Sequence, residues 1–141
     1  LPEGLLQENN VHFHNWNIIS ECATDVDSEK CIAETLDFLN HKNKAINWFK
    51  IDCEGCEYSV IPQILESGVK IEQILIEIHG TRPNQIASLF RSFSASGMMV
   101  FHKERNHWGC SGYKCVEYSL VNKEYARKVL QRYLFGPVQP I

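Results

Sequence analysis

Two short apolar runs in this chain each break into acidic or imidazole side chains and then glycine. The first is Lys50-Ile51-Asp52-Cys53-Glu54-Gly55-Cys56-Glu57 and the second is Ile74-Leu75-Ile76-Glu77-Ile78-His79-Gly80. Carboxylates and a histidine gathered at one point can orient a hydroxyl substrate and take its proton. They can also hold a divalent metal, as Asp52 with Glu77 or His79 would. In an open α/β sheet, ligands bind outside the carboxyl ends of the strands, near the point where strand order reverses. Two neighbouring strands ending in this way put Asp52, Glu54, Glu57, Glu77 and His79 around one crevice. Glu77 and His79 have the same strand parity and point to one face. His79 lies nearer the strand end, and its ordinary pKa suits proton abstraction near neutral pH, so it is the better base.

Each of these residues also has a plainer reading. Glu54 and Glu57 suit the start of a following helix, where the macrodipole favours carboxylates. Gly55 serves a tight strand-to-helix turn, and His79 reads as a strand-end histidine before Gly80. Lys50 snorkels or pairs with a carboxylate. His12 and His14 read as surface residues. His102, His107 and Trp108 are read as parts of a loop over an acceptor pocket, on position alone.

The elements that must position these residues follow from periodicity. Val11 to Ile19 reads as a strand, and Ser20 to Lys30 as a loop. Ile32, Leu36, Phe38 and Leu39 recur at helical spacing. Ile46 to Ile51 is the second strand. Ser59 is the expected N-cap of the next helix, which places Pro62 in its first turn, and Gly68 ends it. Ile74 to Ile78 is a third strand, apolar on both faces as if covered on each side. Pro83 opens a helix with Ile86, Leu89, Phe90 and Phe93 as its stripe, closed by Gly97. Met98 to Phe101 and Cys115 to Val121 form an antiparallel hairpin with a long loop. Lys123 to Leu134 is a final helix with Tyr125, Val129, Leu130 and Leu134 as its apolar face, and residues 136–141 are a frayed tail. Alternating strands and helices predict an α/β fold with a mostly parallel sheet and a C-terminal antiparallel hairpin at one edge.

The 141 residues fit one domain, residues 1–135, with a composition of 44% hydrophobic and 22% charged residues that is ordinary for a globular protein. A net charge of -3, with no dense Lys/Arg run, gives no sign of a nucleic-acid surface. No apolar stretch is long enough to cross a membrane, and no signal peptide is visible. Leu1 in place of methionine fits either a processed chain or a piece of a longer one. Six cysteines are many for a reduced cytosolic protein and few for a disulfide scaffold. Cys53-x-x-Cys56 with Cys110-x4-Cys115 fits a four-thiolate zinc site, but Cys53 and Cys56 read more simply as small apolar residues. Cys110 with Cys115, and Cys22 with Cys31, can close small loops in a secretory protein, and spacing alone leaves both pairings open. The sequence leaves the compartment open: the cysteine content allows the secretory pathway, and the chain is cytoplasmic otherwise.

Thr35-Leu36-Asp37-Phe38-Leu39, then Trp48 to Glu57, then Gln73 to His79 resembles the FkbM-type S-adenosylmethionine-dependent methyltransferases, which carry comparable motifs in this order. The segment from Val100 to Ser119 is similar to the animal methyltransferase-like branch of that family. The resemblance spans most of residues 11–122 and implies a class I methyltransferase (Rossmann-like) sheet. It further implies S-adenosylmethionine as cofactor and methyl transfer to a hydroxyl of a small molecule or sugar. Carried onto this chain, it makes Asp52, Glu77 and His79 the catalytic candidates and Asp52, Glu54 and Gly55 the cofactor contacts. The chain departs from the family in having no G-x-G cluster. Alignment makes Val11–Ile19 the family's third strand, so the expectation is a truncated, carboxyl-terminal part of the domain lacking the first two strands, and doubtful in cofactor binding by itself. Two further expectations are a non-catalytic remnant that associates through an open sheet edge and, lowest, a metal-dependent hydrolase.

Overall fold

The computed structural model describes residues 11–22, 28–80, 82–110 and 114–136. In chain order the elements are β1 (Asn17–Ile18), β2 (Glu29–Lys30), α1 (Ile32–Phe38), β3 (Ile46–Ile51), α2 (Glu57–Glu66) and β4 (Ile71–His79). They continue with α3 (Pro83–Ala95), β5 (Met98–Arg105), β6 (Cys115–Asn122) and α4 (Lys123–Phe135). The fold is α/β, as expected. The main sheet has the order β3-β4-β6-β5, and a separate two-stranded sheet pairs β1 with β2. β3 runs parallel to β4, while β6 lies antiparallel to both β4 and β5. Three strands of the main sheet therefore share one direction, and only β6 opposes them.

Apolar content decides which strands lie inside. Ile74, Ile76 and Ile78 of β4 and Leu120 of β6 are fully or almost fully buried, with Val60, Ile61 and Ile64 of α2 and Leu89 and Phe93 of α3 packed in the same core. α1 packs on α2 and α2 on α3. The Phe90 ring meets Phe93 and Tyr118 edge-on, at centroid distances of 5.8 and 4.9 Å, which ties α3 to β6. The opposite face of the sheet is different. Trp48 and Lys50 are exposed and Leu75 is half-exposed, so β4 is not covered equally on both sides as its apolar run predicts. That face carries a cavity of about 250 Å³ lined by Lys50, Leu75, Glu77, His102, Glu117 and Ser119.

The structure revises several sequence-based boundaries. Of the strand expected over Val11 to Ile19, only Asn17–Ile18 forms a ladder, because its partner Glu29–Lys30 is equally short. Those partner residues were expected to be loop. α2 begins two residues before the expected N-cap: Cys56 takes that place, and Ser59 sits inside the helix, its hydroxyl donating to the Cys56 carbonyl at 2.9 Å. Pro62 is consequently well past the first turn. Cys31 caps α1 in a reciprocal box, its sulfur accepting from the Glu34 N–H while the Glu34 carboxylate accepts from the Cys31 N–H. β4 starts at Ile71 and β5 continues to Arg105, so His102 lies on a strand and not in the loop. In α4, Tyr125 is half-buried, but Val129, Leu130 and Leu134 are exposed. The helix meets β6 near its start, and the rest of its expected apolar face is left exposed. Residues 137–141 of the expected tail lie outside the described residues.

Candidate active site

The turn between β3 and α2 brings the acidic residues to the end of β4. Glu54 and Gly55 both take positive φ, 55° and 113°. The chain thereby reverses sharply enough for α2 to start at once with Glu57. Glycine accepts this conformation without a Cβ penalty, which is the role its sequence position suggested. α2 is then pinned to β4 by the Tyr58 hydroxyl, which donates to the His79 carbonyl at 2.8 Å. Burial and the neighbouring Glu57 both push the Tyr58 pKa up, so this hydroxyl keeps its proton.

Glu57 is completely buried. Its Oε1 accepts from the Cys53 N–H at 3.1 Å and meets His79 Nδ1 at 2.8 Å. Its Oε2 is buried with no hydrogen-bond partner among the described residues. His79 is itself 8% exposed. Its second nitrogen, Nε2, faces Glu54 Oε2 at 3.5 Å and Asp52 Oδ1 at 3.9 Å. Asp52 also has Lys50 Nζ at 3.7 Å, so the lysine pairs with a carboxylate, one of its two expected roles. The imidazole thus has one nitrogen fixed by a buried carboxylate and the other turned toward two partly or largely exposed ones. In this arrangement the partner of Nδ1 sets the tautomer and leaves Nε2 to exchange protons.

Burial alone would lower the His79 pKa. The hydrogen bond to Glu57 and the charges of Glu57, Glu54 and Glu77 outweigh it, and the net shift is upward from 6.5. A raised pKa stabilises the folded chain below the unfolded value of about 6.5. That contribution is lost as pH rises through the higher folded value. Titration of the His79 ring by NMR is expected to give a midpoint above 6.5, and Glu57→Gln is expected to bring it down. A midpoint unchanged by Glu57→Gln would mean that the pair does not set the ionisation.

Glu77 is nearly buried, but it does not bond to His79 or Asp52. Its Oε1 accepts from Asn106 Nδ2 at 2.9 Å, and Asn106 Oδ1 in turn caps the backbone N–H groups of Trp108 and Gly109. Glu77 therefore anchors the loop after β5. Trp108, in that loop, is fully exposed. The sequence reading brought Asp52, Glu54, Glu57, Glu77 and His79 to one crevice, and the structure places His79 against three of the other four. It gave no role to Asn106 and read Glu57 either as a crevice residue or as a helix-start carboxylate. The signal available for Glu57 was its place immediately after a strand-end C-x-x-C turn.

All six cysteines are paired, as Cys22–Cys31, Cys53–Cys56 and Cys110–Cys115. The two loop-closing pairs are those that spacing allowed. The pairing removes the four-thiolate zinc reading, since a disulfide sulfur offers no thiolate. It also blocks a metal at the group of Glu77, His79, Cys110 and Cys115, where both sulfurs are bonded. Three disulfides are bonds of an oxidising environment. Among the described residues, no helix is long and apolar enough to cross a membrane.

Beside this cluster, between the short β1 and the outer edge of β3, lies a cavity of about 590 Å³. Trp16, Ile18, Phe49, Ile51, Asp52 and Cys53 are among its walls. The Trp16 ring stacks on His14 at 4.5 Å, so His14 belongs to an aromatic cluster rather than to open surface.

The domain is α/β, with two parallel strands that end in a carboxylate–histidine cluster next to a mixed aromatic and acidic cavity. A family model described as a methyltransferase domain matches residues 4–122, and the chain belongs to that family. Comparison with curated proteins and with solved structures gives no match.

Proposed function

We propose that this chain is an FkbM-type, S-adenosylmethionine-dependent methyltransferase domain that methylates a hydroxyl of a small molecule or sugar, with His79 as the general base. The observation that carries this reading is the His79–Glu57 pair, whose Nε2 is turned toward Glu54 and Asp52 at the strand ends. An acceptor hydroxyl placed by Asp52 gives its proton to Nε2, and the buried Glu57 stabilises the imidazolium that forms. Glu57 also holds the ring against rotation, which keeps the proton acceptor in register with the hydroxyl. The cofactor, when bound, supplies an electrophilic methyl group on a sulfonium.

The larger cavity suits such a group. Trp16 and Phe49 offer aromatic walls for a purine and for a cationic sulfur, and Asp52 offers a carboxylate for hydroxyl or ammonium groups. Of the three expected cofactor contacts, Asp52 lines this cavity, while Glu54 and Gly55 form the turn that follows it. The lack of a G-x-G cluster in this sequence remains the main departure from the family.

Calorimetric titration of the full-length protein with S-adenosylmethionine tests the reading. Binding that S-adenosylhomocysteine competes away, and that Asp52→Ala weakens at least about tenfold, is expected. No heat of binding would sink it. It would favour instead a non-catalytic module that associates through the outer edge of β3, which ends the order of the main sheet.

A further inference from the structure

The Cys53–Cys56 bond closes the turn between β3 and α2, and both cysteines are half-exposed on the wall of the larger cavity. The other two disulfides each include a deeply buried cysteine: Cys31 is 0% and Cys115 is 1% exposed. Cys56 is the N-cap of α2, where unsatisfied N–H groups and the helix dipole favour a thiolate. A second, independent feature stands beside Cys53. Its Sγ lies 3.6 Å from Oε1 of the fully buried Glu57, and the other oxygen of that carboxylate has no partner among the described residues. A C-x-x-C pair inside a strand–helix–strand unit, at a helix start and against a buried proton acceptor, has the chemistry of thiol–disulfide exchange.

We propose that Cys53–Cys56 is a redox-active centre that exchanges two electrons with an external dithiol. The thiolate of the dithiol attacks Cys56 Sγ, the protein S–S bond breaks, and the electron pair leaves on Cys53 Sγ. Cys53 takes a proton, relayed from solvent through His79 and Glu57, and as a thiol donates to Glu57 Oε1. The second thiolate of the reductant then attacks its own sulfur bound to Cys56. That step forms the reductant's disulfide and releases Cys56 as a thiolate at the helix N-terminus. Protein disulfide and dithiol become protein dithiol and disulfide, with no other reactant. The new Cys53 S–H competes with His79 for Glu57 Oε1, so reduction loosens the anchor of the imidazole. This last consequence rests on the proposed role of His79, but the exchange itself does not.

The test uses the full-length protein equilibrated in buffers of reduced and oxidised dithiothreitol, quenched with acid and mapped by differential alkylation and peptide mass. The Cys53–Cys56 bond is expected to open at a reduced-to-oxidised ratio at least about tenfold lower than either other disulfide. Glu57→Gln is expected to slow its opening several-fold while leaving the Cys22–Cys31 and Cys110–Cys115 rates unchanged. Opening of Cys53–Cys56 together with or after the other two, or only on denaturation, would overturn the proposal. Unchanged kinetics in Glu57→Gln would remove the proton relay from it. None of these readouts depends on methyl transfer, so their failure is separable from failure of the methyltransferase reading.

Discussion

Replacing His79 with alanine is expected to lower methyl transfer by about a hundred- to ten-thousand-fold, the usual range for loss of a general base. Transfer is scored as S-adenosylhomocysteine released in the presence of a panel of hydroxyl acceptors. The loss should fall on turnover more than on cofactor affinity. His79 contacts the carboxylates at the strand end, whereas the aromatic walls of the larger cavity lie on β3 and the segment before β1. The pH profile supplies a second readout that a merely structural histidine would not move. Only neutral His79 can accept a proton, so the rate should climb through the raised pKa of this group, above 6.5. Glu57→Gln keeps an oxygen acceptor but removes the Glu57 charge that helps raise that pKa, and should carry the climb to lower pH. His79→Gln gives a variant that can still hydrogen-bond to Glu57 but cannot act as the base. Wild-type rates in both His79 variants would exclude it from proton transfer.

Phe93→Ala is expected to cost about 3–5 kcal/mol of folding stability, measured as a fall in the urea midpoint with an unchanged slope. Phe93 is 1% exposed and is the largest fully buried side chain among the described residues. Its removal would leave a cavity under α3 and break the edge-on ring series that runs through Phe90 to Tyr118 on β6. Domains of this size are held by only about 5–15 kcal/mol, so the variant should be near unfolding at physiological temperature. A cost under about 1 kcal/mol would mean that α3 does not pack on the sheet through this residue. The effect also bears on the site, because β6 lies directly beside β4, the strand that ends in His79.

The sequence by itself determined the elements nearest the site. β3 begins and ends as the apolar run Ile46–Ile51 predicts, and α3 starts at Pro83, because strand alternation and N-terminal proline are local signals. The Asp52 and His79 strand ends were legible for the same reason, since an apolar run that breaks into charge and glycine marks where a buried strand emerges. Other boundaries depended on distant partners. The first strand shrank to two residues because ladder hydrogen bonds need a facing strand, and the face of α4 stayed exposed because periodicity cannot supply a surface to bury it. Glu57 shows the limit most clearly. A glutamate at the first position of a helix reads as an exposed dipole-compatible charge. Only the positive φ of Glu54 and Gly55 and the closeness of β4 turn it inward, onto His79 and beside Cys53. Residue types and their spacing named the carboxylates, the histidine and the six sulfurs. Tertiary packing decided which of them touch, because contact across twenty residues depends on how the strands pair and how sharply the turn reverses.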